Sequence, residues 1–137
     1  MKLKLQLVRD GEVLFEIPLF PSEWPRDRLQ DELEAFEENF KRFSKIFDAL
    51  SHETRLRMMK MLMEEEDQTI NFAAFMRDLD LNPKIVWENA NKLREGGLLE
   101  KIDRGRYRCS EVGQTSFILM SFAFRHLIQA LEEMDKF

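Results

Sequence analysis

The chain opens on a two-residue alternation. Leu3, Leu5 and Leu7 alternate with polar residues, Asp10-Gly11 follows, and Val13, Phe15, Ile17 and Leu19 alternate back. Apolar side chains at every second position mark a half-covered strand. Asp-Gly is a strong two-residue turn signal, so the pattern predicts a β-hairpin. Pro18 makes the second strand an edge, and Pro21 and Pro25 form a short stiff connector. Two strands alone are marginal in water, so the apolar face has to be covered by the body of the chain or by a second subunit.

From residue 26 the period changes. Leu29, Leu33, Phe36, Phe40, Phe43, Phe47 and Leu50 step alternately by four and three, a heptad seam that predicts one helix over 26–50. Along it Asp31, Glu32, Glu34, Glu37 and Glu38 lead and Lys41, Arg42 and Lys45 follow, an order that complements the helix dipole. A seam rich in Phe is too bulky for a narrow two-stranded coiled coil and calls for a second apolar helix. The end of the chain supplies one. Phe117, Met120, Ser121, Phe124, Leu127, Ile128, Leu131 and Met134 form a stripe along a helix over 113–136, with Ile118, Leu119 and Phe122 beside it. This much apolar surface exceeds what one small domain hides. It predicts a homodimer whose interface takes Leu29, Leu33, Phe36 and Phe40 from the first helix. The last helix gives Phe117, Met120, Phe124, Leu127 and Leu131.

The middle of the chain reads as short capped helices and a second hairpin. Leu56, Met59, Leu62 and Met63 repeat at helical spacing, and the eight methionines serve as adaptable core fillers. Thr69-Ile70 adds a short strand, and Asn71 caps the helix Phe72-Ala73-Ala74-Phe75-Met76-Arg77-Asp78-Leu79. After the turn, Asn82 is an N-cap and Pro83 fits the first helical position. Val86, Ala90 and Leu93 share one face, and Gly96-Gly97 supplies a left-handed stop. Residues 98–102 are strand-like, Asp103-Arg104-Gly105 turns, and 106–110 returns. The predicted fold class is mainly α with small β. It is a winged helix-turn-helix with an N-terminal β-hairpin and long terminal dimerisation helices. The division is 1–25 for hairpin and connector and 26–137 for the winged-helix domain, with dimerisation helices at 26–50 and 113–136.

What the core leaves over carries the chemistry. The outer face of the helix after the turn presents Lys84, Trp87, Glu88 and Asn91, the arrangement a major-groove reader needs. Lys92 and Arg94 flank it, and Arg104, Arg106 and Arg108 lie at or near the tip of the wing. Residues 84–108 hold seven Lys/Arg against four Asp/Glu in a chain of net charge −5. Basic charge gathered in one segment of an acidic chain is expected where that segment meets a phosphate backbone. Asn91 can pair with an adenine edge and Glu88 can accept from a cytosine amino group. Trp87 has two readings, packed under the wing or a neighbouring helix, or on DNA.

The run Phe47-Asp48-Ala49-Leu50-Ser51-His52-Glu53-Thr54-Arg55-Leu56-Arg57-Met58-Met59-Lys60-Met61-Leu62 is similar to the opening-helix signature of ArsR-type winged-helix regulators. With the helix–turn–helix, the Leu93-Arg94-Glu95-Gly96-Gly97-Leu98-Leu99 run and the wing, the resemblance spans roughly 40–124. The N-terminal hairpin lies outside it. The resemblance implies a dimeric transcription regulator whose first and last helices form the dimer interface, with double-stranded DNA as partner. Function still has to be argued from the site.

Other chemistries find little to stand on. Thiolate metal sites of that family need several Cys before the turn, where only Asp78 is a possible ligand. Zinc sites need His and carboxylate pairs on the last helix, which offers His126 with Glu132 and Glu133. With His52 as the only other histidine, no metal and no cofactor is expected. Cys109 is the single cysteine and reads as a small buried hydrophobe. No phosphate loop or nucleophile–base pair points to an enzyme. No apolar run is long enough for a membrane span, so a soluble, cytoplasmic protein without membrane contact is expected. The competing class is a winged-helix module that binds protein and little or no DNA.

Overall fold

The computed structural model describes residues 2–135 and divides the chain into two compact units, Met1–Phe40 and Lys41–Phe137. In the first, strands β1 (Lys4–Arg9) and β2 (Glu12–Pro18) pair antiparallel, with Leu5 opposite Ile17 and Leu7 opposite Phe15. Asp10 and Gly11 both have positive φ, 50° and 83°, the two-residue turn whose twist matches the strands. Lys4 and Gln6 bond Glu16 on the opposite face, and together they hold its carboxyl below the usual range, Gln6 contributing most. A register shift after Leu7 sets Val8 against Val13. A short 3-10 turn, Pro21–Glu23, leads to helix α1 (Arg26–Glu37), and Trp24 Nε1 donates to the Pro18 carbonyl at 2.9 Å. Among the described residues of this unit none is buried.

The helix expected over 26–50 is broken. Helix α1 ends at Glu37 and α2 runs Phe40–Ala49. The cause is local. The Asn39 side chain donates to the Ala35 carbonyl at 3.0 Å, the acceptor its own backbone N–H would use in a continuing helix. That N–H turns instead to Phe36 at 3.0 Å. Helix α1 lies within the first compact unit, which ends at Phe40.

The second unit is a winged helix. Helix α3 (Glu53–Glu64), strand β3 (Thr69–Asn71), helices α4 (Phe72–Leu79) and α5 (Pro83–Glu95), and strands β4 (Leu99–Asp103) and β5 (Arg106–Cys109) follow in order. The sheet runs β3-β5-β4, antiparallel throughout, with Ile70 opposite Tyr107 and Leu99 opposite Cys109. Those four inward residues join Ile46, Ala49, Met58, Met59, Leu62, Phe75, Val86, Ala90, Leu93, Leu98 and Phe117 in the core. On α3 the buried face is Arg55, Met58, Met59 and Leu62. The expected stripe had Leu56 inside, and it lies 38% exposed. Gly113 is required by packing: a Cβ there would sit 2.1 Å from the Leu98 carbonyl oxygen.

The terminal helix starts earlier than residue 113. Ser110 Oγ caps it by accepting the Gly113 N–H at 2.8 Å, and helix α6 spans Glu111–Phe117. A π-helical stretch, Ile118–Ala123, then joins α6 to α7 (Phe124–Met134) without a break in helical backbone angles. In a π turn residues five apart face each other. Phe117 and Phe122 accordingly meet edge-on at 5.9 Å. The extra residue rotates the stripe read at α spacing. Phe117, expected at a subunit interface, is 7% exposed and belongs to the core of its own chain. Lys136 and Phe137 lie outside the described residues, so the expected end at 136 does too.

Candidate nucleic-acid interface

The turn between α4 and α5 is built from side chains that favour it. Asn71 Oδ1 accepts the Ala74 N–H at 2.7 Å and opens α4, whose end is closed by Asp80 at φ 52°, ψ 53°. The Leu81 N–H reaches back to the Met76 carbonyl at 3.0 Å. Asn82 Oδ1 then accepts from Ile85 N at 2.9 Å, and Pro83 occupies the position where a missing N–H is harmless. Helix α5 buries Val86, Ala90 and Leu93. At its far end Gly97 takes φ 75°, and Gly96 lies so close to α2 that a Cβ would be 3.0 Å from the Ala49 Cβ. Both ends of α5 and its inner face are thereby fixed.

The outer face is open. Lys84 and Glu88 are exposed and sit 4.0 Å apart, one turn from each other. Trp87 is 56% exposed and no ring stacks on it among the described residues, so it is not packed under the wing or a neighbouring helix. Asn91 is half-buried and its Nδ2 donates to Glu95 at 3.1 Å. Lys92 divides itself between Asp48 at 3.7 Å and Glu95 at 3.9 Å.

In the wing, Arg104 and Gly105 form the turn, Gly105 at φ 75°, and the Phe72 N–H pins the tip by donating to the Gly105 carbonyl at 2.7 Å. Strand alternation sends Tyr107 and Cys109 inward and Arg106 and Arg108 outward. Arg106 pairs with Asp103 at 3.0 Å, and Arg108 pairs with Glu100 directly across the strands at 3.1 Å. Each of the four acids of 84–108 therefore engages a cation. Among the described residues Arg94, Lys101 and Arg104 have no acidic partner, and the local excess of +3 resides on them.

Sequence reasoning passed over the residue that ties this surface down. Arg55 is 6% exposed. Its Nε donates to the Ala49 carbonyl and its Nη2 to the Asp48 carbonyl, both at 2.8 Å, and its Nη1 to Asn89 Oδ1 on α5 at 3.0 Å. Three bonds meet the requirement that a buried charge be hydrogen-bonded. The signal was there: Arg55, Met58, Met59 and Leu62 keep core spacing, so a guanidinium stands at a core position.

The residues weighed for other chemistry lie apart. His52 and His126 are exposed, Asp78 pairs with Arg77 at 3.0 Å, and Glu132 and Glu133 are exposed. Among the described residues no three His, Cys, Asp or Glu side chains gather as a metal ion requires. Cys109 is buried, and burial, helped by Glu100, raises its thiol from 9.0 to about 11.

No family model matches the chain, and no curated protein matches it. Among solved structures it is similar to the transcriptional repressor BigR from Xylella fastidiosa, at 21% identity over 65% of this chain and 93% of that one, with a TM-score of 0.48. It is also similar to a MarR family transcriptional regulator from Streptomyces coelicolor, at 11% identity over 82% of this chain and 80% of that one, with a TM-score of 0.50. At these identities the likeness is one of fold, and the fold is the winged helix-turn-helix.

Proposed function

We propose that this chain is a sequence-specific regulator of transcription that binds duplex DNA as a homodimer, in the manner of ArsR-type proteins and without a metal. The observation that carries the reading is the uncovered outer face of α5 together with Arg94, Lys101 and Arg104, three cations that have no acidic partner among the described residues. Lys84, Trp87, Glu88 and Asn91 enter the major groove, with Lys92 and Arg94 on its flank. Arg104, with Arg106 and Arg108 once they leave their carboxylates, sits on phosphate or in the minor groove. The similar structure from Streptomyces coelicolor is described as a MarR family transcriptional regulator, which supports the same role here. Nothing catalytic enters the reading.

Dimerisation is supported by apolar side chains left in water. Leu33, Phe36, Phe40 and Phe124 are exposed, and Leu29, Met120, Leu127 and Leu131 are half-buried. Ile118, Leu119 and Phe122 add to the exposed surface. A two-fold dimer would set its reading helices about 34–36 Å apart, in successive major grooves, and favour a near-palindromic site. Among the described residues no helix is long and apolar enough to cross a membrane, and the DNA-binding reading places the protein in the cytoplasm.

Selection of bound sequences from a random duplex pool, followed by a salt series, tests the reading. Enrichment of a near-palindrome, with log affinity falling linearly in log salt, is the expected result. No enrichment and a flat salt response would favour the protein-binding alternative, for which the exposed Trp87 beside Glu88 is the supporting feature.

A further inference from the structure

Arg55 is a buried charge that the proposed DNA contacts do not use. It stands on α3, yet all three of its hydrogen bonds leave that helix. Two go to the last carbonyls of α2, where a positive charge complements the helix terminus. The third crosses to Asn89, on the flank of α5 between its buried and its outer faces. Asn89 is fixed in turn, since its Nδ2 donates to the Ile85 carbonyl at 2.8 Å, which leaves Oδ1 for Arg55. Asp48 adds a looser second link, 4.0 Å from Arg55 and 3.7 Å from Lys92 of α5.

We infer that Arg55 and Asn89 are positioning residues that lock the rotation of the recognition helix to α2, and so set DNA specificity without touching DNA. The inference rests on the DNA-binding reading of α5. Rotation is the coordinate that matters, because Lys84, Trp87 and Asn91 lie on one face and a turn of the helix about its axis moves all of them off the base edges together. The apolar contacts of Val86, Ala90 and Leu93 are non-directional and fix the distance of α5 better than its rotation. A bond from a rigid guanidinium to a side-chain oxygen on the flank is directional.

The test compares the full chain with Asn89→Ala and Asn89→Asp on the selected duplex and on a random duplex. Asn89→Ala removes the acceptor and should weaken binding to the selected duplex about tenfold, in the range of one lost base contact. Random-duplex affinity and its salt slope should stay as they are, because phosphate contacts tolerate a small rotation. Asn89→Asp restores an acceptor to Arg55 while adding negative charge. It should bring selected-duplex binding back to within about threefold of wild type, the reverse of what simple phosphate repulsion would do. Equal specificity in wild type and Asn89→Ala overturns the inference, and so does Asn89→Asp binding both duplexes more weakly than Asn89→Ala. Should the wild type bind no duplex, the DNA-binding reading fails and the lock is judged by amide exchange over residues 85–93. Faster exchange in Asn89→Ala, reversed in Asn89→Asp, upholds it, and unchanged exchange overturns it.

Discussion

Arg104 stands at the tip of the wing turn with no acidic partner among the described residues, and replacing it by Ala tests whether the wing meets phosphate. If it does, each protomer gives up one phosphate contact and a two-fold dimer gives up two. The slope of log affinity against log salt is about −0.9 for each phosphate neutralised on duplex DNA, so Arg104→Ala should flatten it by about 1.8. Between roughly 50 and 200 mM salt, the variant should then lose about twelvefold less affinity than the wild type does. Its neighbours behave differently. Arg106 is held by Asp103 at 3.0 Å, both about half exposed, and such a pair is worth about 0–1 kcal/mol, so exchanging the carboxylate for a phosphate is close to neutral. Asp103→Asn releases Arg106 and should strengthen binding at low salt, with the gain fading as salt screens it. Fluorescence anisotropy on the selected duplex across a salt series reads both variants. An unchanged slope in Arg104→Ala, against a steep wild-type slope, would remove the wing tip from the interface.

Three further outcomes are expected. Trp87→Ala should abolish selective duplex binding and change stability by no more than about 0.5 kcal/mol, as for other exposed positions; a large fall in melting temperature with binding intact would refute the groove assignment. Cys109 should resist alkylation at pH 8, since raising its thiol from 9.0 to about 11 cuts the thiolate fraction about a hundredfold. The unfolded thiol ionises first, so the stability the protonated thiol contributes is full below pH 9 and is lost as pH rises towards 11; equal labelling rates in native and urea-unfolded protein would contradict this. Phe124, 55% exposed on α7, can become Glu without opening the core. Phe124→Glu should therefore halve the mass seen by light scattering and remove palindrome binding, whereas a wild-type mass of one chain at micromolar concentration would end the dimer proposal.

Much of this architecture was legible because its signals are local. Asp10-Gly11, Asn71, Asn82-Pro83 and Gly97 each fix a turn or a helix end through atoms a few residues away, and each does so here. Competition between two local bonds was not legible. Asn39 can continue a helix or divert its side chain to the Ala35 carbonyl, and a heptad seam is silent about which it will do. The π stretch escaped for a related reason, because a stripe read at 3.6 residues per turn has no place for an added residue, and it left Phe117 on the wrong side of the helix.

The candidate site divides along the same line. Which residues lie on the outer face of α5 follows from the positions of Val86, Ala90 and Leu93, and period alone supplies them. Arg55's link to α5 was missed because its third partner is Asn89, 34 residues away, and no window of helical length contains both. The wing argues the point most directly. Three arginines near a hairpin tip look equivalent in a charge count, but antiparallel register sets Glu100 against Arg108, and the turn brings Asp103 back to Arg106. Among the described residues only Arg104 of the three is left without a carboxylate. Net charge over a segment is additive and can be counted, whereas the charge available to a phosphate depends on register, and register is set by the whole sheet. The salt slope of Arg104→Ala, read beside that of Arg106→Ala, is therefore a measurement of β4–β5 pairing as much as of DNA contact.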